Sequence, residues 1–181
     1  MTIIETKKVA KESMIIRLTF DGAFKRAKIY DKKATDAERK EFRKTIADLL
    51  PRYLKRIQNR KRYLHSDHYK TIELLTKDVS KRHSDILDKN KFRIGNAQKF
   101  LNLYWKVSWL LQKGIQQPIQ CPFDSIIMKK LPVKVRVAWT AFDTIDEYKA
   151  LVKAVQHKIG DSKSIAEWEL EIYLKSIKEN Q

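Results

Sequence analysis

The fold turns on Ile94-Gly95-Asn96-Ala97-Gln98-Lys99-Phe100-Leu101-Asn102-Leu103-Tyr104-Trp105-Lys106-Val107, and on Cys121-Pro122-Phe123-Asp124 downstream of it. Phe100, Leu103, Tyr104, Val107, Leu110 and Leu111 recur at helical spacing and predict a helix over 97–113 with a wide apolar face. Asn96 is the expected N-cap, because its side-chain oxygen can accept an unpaired amide of the first turn. Lys99 then falls in that first turn, where the positive end of the helix dipole disfavours a cation. Beside an apolar face, such a lysine is expected to tend toward its neutral, nucleophilic form. Asp124 follows 25 positions later (124 − 99). Pro122 is disfavoured inside a helix, so a new helix over 124–131 is expected to open at Asp124. Helix, loop and Pro-x-Asp at the start of a second helix can bring a lysine and a carboxylate together.

On the N-terminal side, Met14 to Phe20 and Ala23 to Tyr30 flank Asp21-Gly22. Asp-Gly between β-prone runs predicts a hairpin over 13–30, with residues 2–10 as a third strand. Thr35 or Asp36 caps a helix to about Leu50, which Pro51 kinks or restarts before it runs on to Tyr63. Ser66-Asp67 opens a helix through Ser80, and a short helix is expected over 84–89. Beyond the Asp124 helix, residues 132–140 alternate and read as irregular or extended. Thr144-Ile145-Asp146-Glu147 and Ser164-Ile165-Ala166-Glu167 are capping boxes that start the last two helices, with Gly160 between them. The expected fold is mostly α: one compact domain in which a small β-hairpin element (1–32) packs on a helical body (33–181).

The chain has 181 residues, 43% hydrophobic and 34% charged, which suits a globular domain rather than a disordered one. No apolar run is long enough for a transmembrane helix, and Met1-Thr2-Ile3-Ile4-Glu5 lacks a secretory apolar region. The lone Cys121 excludes an internal disulfide and suits a reducing cytoplasm. His65 and His68 stand three apart with no further ligand cluster, so neither zinc nor a cofactor is expected. Net charge is +17, and the sequence pI is near 9.9. Residues 25–62 hold 15 Lys/Arg against 5 Asp/Glu, a surplus of +10. That clustering favours a polyanionic partner, with Arg52, Lys55, Arg56, Arg60, Lys61, Arg62 and Arg93 as candidate phosphate contacts. Tyr53 and Tyr63 are either stacking platforms among these cations or half-buried helix tyrosines.

Gln98-Lys99-Phe100-Leu101, Lys106-Val107 and Pro122-Phe123-Asp124 before a helix together resemble the active-site half of helix-hairpin-helix DNA glycosylases. The resemblance is to archaeal 8-oxoguanine DNA glycosylases and to small bacterial anti-phage glycosylases that excise glucosylated hydroxymethylcytosine. It spans residues 93–131, and the usual glycine-rich hairpin is reduced here to Arg93-Ile94-Gly95. The resemblance implies Lys99 as nucleophile and Asp124 as its electrostatic and basic partner, with Lys106 as the rival amine. Gln98, Asn102 and Trp139 are candidates to contact an extruded base. The implied partner is double-stranded DNA carrying modified bases, bound by a monomer, with excision leaving an abasic site. A non-catalytic, basic nucleic-acid-binding protein is the competing expectation; a nuclease is weaker, because no carboxylate cluster suited to magnesium stands out.

Overall fold

The computed structural model describes residues 2–25, 27–132 and 139–179. Among these, seven α-helices follow one another: α1 (Ile3–Ala23), α2 (Asp36–Gln58), α3 (His65–His83), α4 (Ile94–Leu111), α5 (Ser125–Lys129), α6 (Ile145–Ile159) and α7 (Ile165–Lys178). Three-residue 3-10 turns at Ser84–Ile86 and Asp88–Asn90 lead into α4, and another at Trp139–Ala141 precedes α6.

α4 is the hub. Every residue from Ile94 to Asn102 is buried, and α1, α2, α3, α6 and the Trp139–Ala141 turn all pack on it. A helix surrounded on all sides needs apolar residues all round, or polar ones that find partners. Phe100, Leu101, Tyr104 and Trp105 supply the first kind; Gln98 and Asn102 supply the second. Rings of Phe24, Phe42 and Phe92 pack edge-on or tilted against one another or Phe100, with Phe24 and Phe100 centroids 5.0 Å apart. Offset and edge contacts of this kind add to the stabilisation from the area these rings bury.

The expected N-terminal β-hairpin is replaced by helix: residues 3–23 form α1, and Asp21-Gly22 lies inside its last turn. Thr2 and Glu5 close a capping box at its start. The run Met14 to Phe20 is apolar enough to satisfy a period of two as well as one of 3.6, so its pattern does not discriminate. Packing decides. Ile15, Thr19 and Ala23, four apart, form a stripe buried against the body. Gly22 lies against α4 rather than in a turn: a Cβ there would stand 2.5 Å from the flexible end of Leu103, Cδ2. Residues 2–11 are exposed along the N-terminal half of the helix. Among the described residues the only β-type pairing is an isolated bridge between Tyr30 and Leu87.

α2 runs through Pro51 without restarting. α4 begins three residues earlier than expected, with Arg93 rather than Asn96 at its N-cap and no side-chain cap. The Gly95 amide donates to Phe142 O (3.2 Å), so a tertiary carbonyl satisfies a first-turn donor that a cap would otherwise serve. Asn96 is buried inside the helix, and Lys99 stands in its second turn. The capping boxes expected at Thr144 and Ser164 are present. No described helix is long and apolar enough to cross a membrane. Residues 133–138, most of the stretch read as irregular or extended, lie outside the described residues.

Candidate active site

Two adjoining cavities open between α1, α4, α5 and the segment leading into α5. The larger, about 400 Å³, is walled by Leu18, Leu103 and Val107, with Lys106, Glu169 and Tyr173 also lining it. The smaller, about 210 Å³, is lined by Lys25, Ser125, Ile126 and Trp139. Gly22, Lys99 and Asp124 line both. The two residues singled out 25 positions apart in sequence (124 − 99) thus meet at one place.

A clamp on α4 carries Asp124 there. Gln98 Nε2 donates to Phe123 O (2.9 Å) and to Gly95 O (3.0 Å), while the Phe123 amide donates back to Gln98 Oε1 (3.1 Å). One turn on, Asn102 Nδ2 donates to Cys121 O (2.9 Å) and to the Tyr148 hydroxyl (2.8 Å). Because both acceptors fix the amide nitrogen, Asn102 Oδ1 must face His68 Nε2, 2.6 Å away. Gln98 and Asn102 are fully buried and line neither cavity. The expectation that they contact an extruded base is therefore corrected: they hold the Cys121–Asp124 backbone in place.

Asp124 is the N-cap of α5, its Oδ1 accepting from the Ile126 and Ile127 amides at 2.9 and 3.1 Å. A capping role and a chemical one coincide here: capping orients the carboxylate, and the carboxylate lines the cavity. Lys99 is 5% exposed, with Nζ 4.1 Å from the centroid of the Trp139 ring. That is cation–π distance. Trp139 is kept there by Gly95, because a Cβ on Gly95 would run into Trp139 O. Trp139 lines the smaller cavity from the turn before α6, with Lys99 over its face.

Lys106, the rival amine, lies two turns further along α4 and faces the same larger cavity. Its Nζ is 2.7 and 2.8 Å from the two oxygens of Glu169, the side chains are 8% and 7% exposed, and the Tyr173 centroid is 4.2 Å away. Burial pushes the Glu169 carboxyl up from its ordinary range, and the Lys106 ammonium opposes that shift. An amine held between a buried carboxylate and an aromatic ring is poorly placed to reach a sugar carbon. Sequence reading missed Glu169 and Tyr173. A signal for Glu169 existed: it occupies the buried stripe of α7 with Ile165 and Trp168. Cys121 is no alternative nucleophile, since complete burial pushes its thiol far above the usual range.

Of the candidate DNA contacts, Arg52, Lys55, Arg56, Arg60, Lys61 and Arg62 are exposed on and just after the C-terminal half of α2, and none lines either cavity. Arg60 pairs with Asp67 at 2.8 Å. Tyr53 donates to Asp78 and Tyr63 to Thr71, so both tyrosines are committed to the fold. Arg93 is a further correction. It is 8% exposed, donates to Thr140 O (3.0 Å) and Asp88 (2.8 Å), and fastens the start of α4 to its neighbours rather than meeting phosphate.

No family model, curated protein or solved structure matches this chain.

Proposed function

We propose that this protein is a DNA glycosylase that extrudes a modified base and cleaves its N-glycosidic bond, leaving an abasic site. The observation that carries the reading is the shared position of Lys99 and Asp124 on the walls of both cavities. Glycosidic cleavage needs the nucleotide out of the stack, a carboxylate for the oxocarbenium-like sugar, and a nucleophile at C1′. Asp124 provides the carboxylate, its position fixed by the α5 amides. Lys99 provides the amine. The neutral amine attacks C1′ and the base departs with the bonding electrons, taking up a proton; opening of the sugar ring at O4′ then gives a protonated Schiff base on Lys99. In the hydrolytic variant, Asp124 takes a proton from water and the water oxygen bonds C1′.

The apolar walls of Leu18, Leu103 and Val107 suit a base removed from water, and Trp139 suits the neighbouring sugar or base face. The resemblance at residues 93–131 points to a modified base in phage DNA, such as glucosylated hydroxymethylcytosine, or to an oxidised purine under repair. The cytoplasm is the setting that a single thiol suits. Incubation with genomic DNA from phages carrying different modified bases, followed by mass spectrometry of released bases, tests the reading. A released base that depends on Asp124 is the expected result. The net charge of +17 supports a second reading, a DNA-binding protein without chemistry; it would retard DNA in a salt-sensitive way while every base stayed attached.

A further inference from the structure

A third groove, about 380 Å³, lies between α5, α6 and α7. Lys129 and Lys130 reach it from the end of α5, Lys158 from the end of α6 and Lys175 from the end of α7; among the described residues Glu179 is the one carboxylate on its lining. All four lysines are exposed. Each lysine complements its own helix C-terminus, which accounts for them singly. Their convergence is a separate fact. Helix C-termini contribute about half a negative charge each at most. Four ammoniums against Glu179 and three such ends leave the groove net positive.

The groove also adjoins the candidate active site. Ile126 lines both it and the 210 Å³ cavity that holds Lys99 and Asp124. α5 is the wall between them, with Asp124 at one end and Lys129–Lys130 at the other. Its five residues span about 7 Å, roughly two nucleotide steps at a rise of about 3.4 Å per nucleotide. Ile126, Trp168 and Ile172 add an apolar lining that fits deoxyribose faces.

We infer that this lysine groove binds the phosphodiester backbone of the DNA strand flanking the nucleotide in the cavity. Lysines that neutralise backbone phosphates release the cations condensed on the DNA, so binding through the groove depends steeply on salt. This moves the main phosphate track from the α2 cations to a surface assembled by three helices. It rests on the reading of a DNA partner, and not on base excision.

The test is fluorescence anisotropy of an unmodified duplex of about 20 base pairs, titrated with the full chain across a range of salt concentrations. The variant K129A/K130A/K158A/K175A should bind at least tenfold more weakly at about 0.1 M salt, with a log–log salt slope lower by about 3–4 (~0.9 for each phosphate no longer neutralised). The variant R52A/R56A/K61A should change both by less. K158E alone, an exposed α6 change, should weaken binding as well, and it serves if the quadruple variant melts early. Wild-type affinity and slope in a folded quadruple variant, or in folded K158E, would overturn the groove assignment while leaving DNA binding intact. Failure of the wild-type chain to bind duplex would instead remove the DNA reading itself. Loss of binding to phosphatidylserine vesicles without loss of duplex binding would reassign the groove to a membrane surface and refute the inference.

Discussion

Lys99 and Lys106 stand two turns apart on one helix and line one cavity, yet their surroundings differ in kind. Lys106 is locked between the Glu169 carboxylate and the Tyr173 ring. Lys99 lies over Trp139, in a wall shared with Asp124, whose Oδ1 is engaged by backbone amides of α5. The first arrangement ties α4 to α7 through a buried ion pair. The second puts an amine and an oriented carboxylate on the rim of two adjoining cavities. Identity and burial are nearly the same for the two lysines. Different segments meet the two: α7 brings Glu169 and Tyr173 to Lys106, and the turn before α6 brings Trp139 to Lys99.

The sharpest way to break this contrast is Asp124→Asn. Asparagine is as good an N-cap as aspartate, so α5 keeps its start and the melting temperature stays close to that of the wild type. Base release should fall by about 10²–10³, as when a charge-stabilising group is lost from an active site, with duplex affinity nearly unchanged. Mass spectrometry of released bases and anisotropy together read both outcomes. Lys99→Gln should eliminate any borohydride-trapped adduct with DNA. An adduct that survives this change but vanishes in the paired variant K106M/E169L would reverse the assignment of the two lysines.

Lys106→Met alone tests the other corner. It strands a buried carboxylate and should cost about 3–5 kcal/mol in urea unfolding, most of which K106M/E169L recovers. Gly95→Ala comes next: the added carbon forces the Trp139 backbone away from α4, and overpacking of this kind costs about 1–3 kcal/mol. Tryptophan fluorescence should report the displacement of Trp139, with reduced base release alongside a folded circular-dichroism spectrum.

The last contrast concerns acid stability of the clamp. Burial lowers the His68 pKa from 6.5 to about 4, partly opposed by its hydrogen bond to Asn102. A folded-state value below the unfolded one means the stabilisation is full above about pH 6.5 and is lost as pH falls through 4. The loss amounts to about 3 kcal/mol at ~1.4 kcal/mol per pH unit. Urea melts at about pH 7 and about pH 4 should show it, and it should shrink in His68→Gln. An unchanged pH dependence in that variant would mean the clamp does not depend on a neutral ring.

By itself the sequence determined several local features, though not the Asn96 cap, which gave way to Arg93. Apolar spacing marked α4, Pro122-Phe123-Asp124 marked the start of α5, and the boxes at Thr144 and Ser164 marked α6 and α7, because caps and a 3.6-residue period act within a turn or two. It also singled out Lys99 and Asp124. Tertiary structure decided the rest. Asp21-Gly22 became helix because Ile15, Thr19 and Ala23 bury one stripe of α1 against distant segments of the body. Gln98 and Asn102 became clamps because the Cys121–Phe123 backbone presents groups they can bond, and Arg93 was drawn inward by Asp88 and Thr140. Glu169 met Lys106, and four lysines met one another, only through the packing of α7 with α4, α5 and α6. Contacts between distant segments leave no periodic trace in the chain, so burial and partner choice waited on the fold.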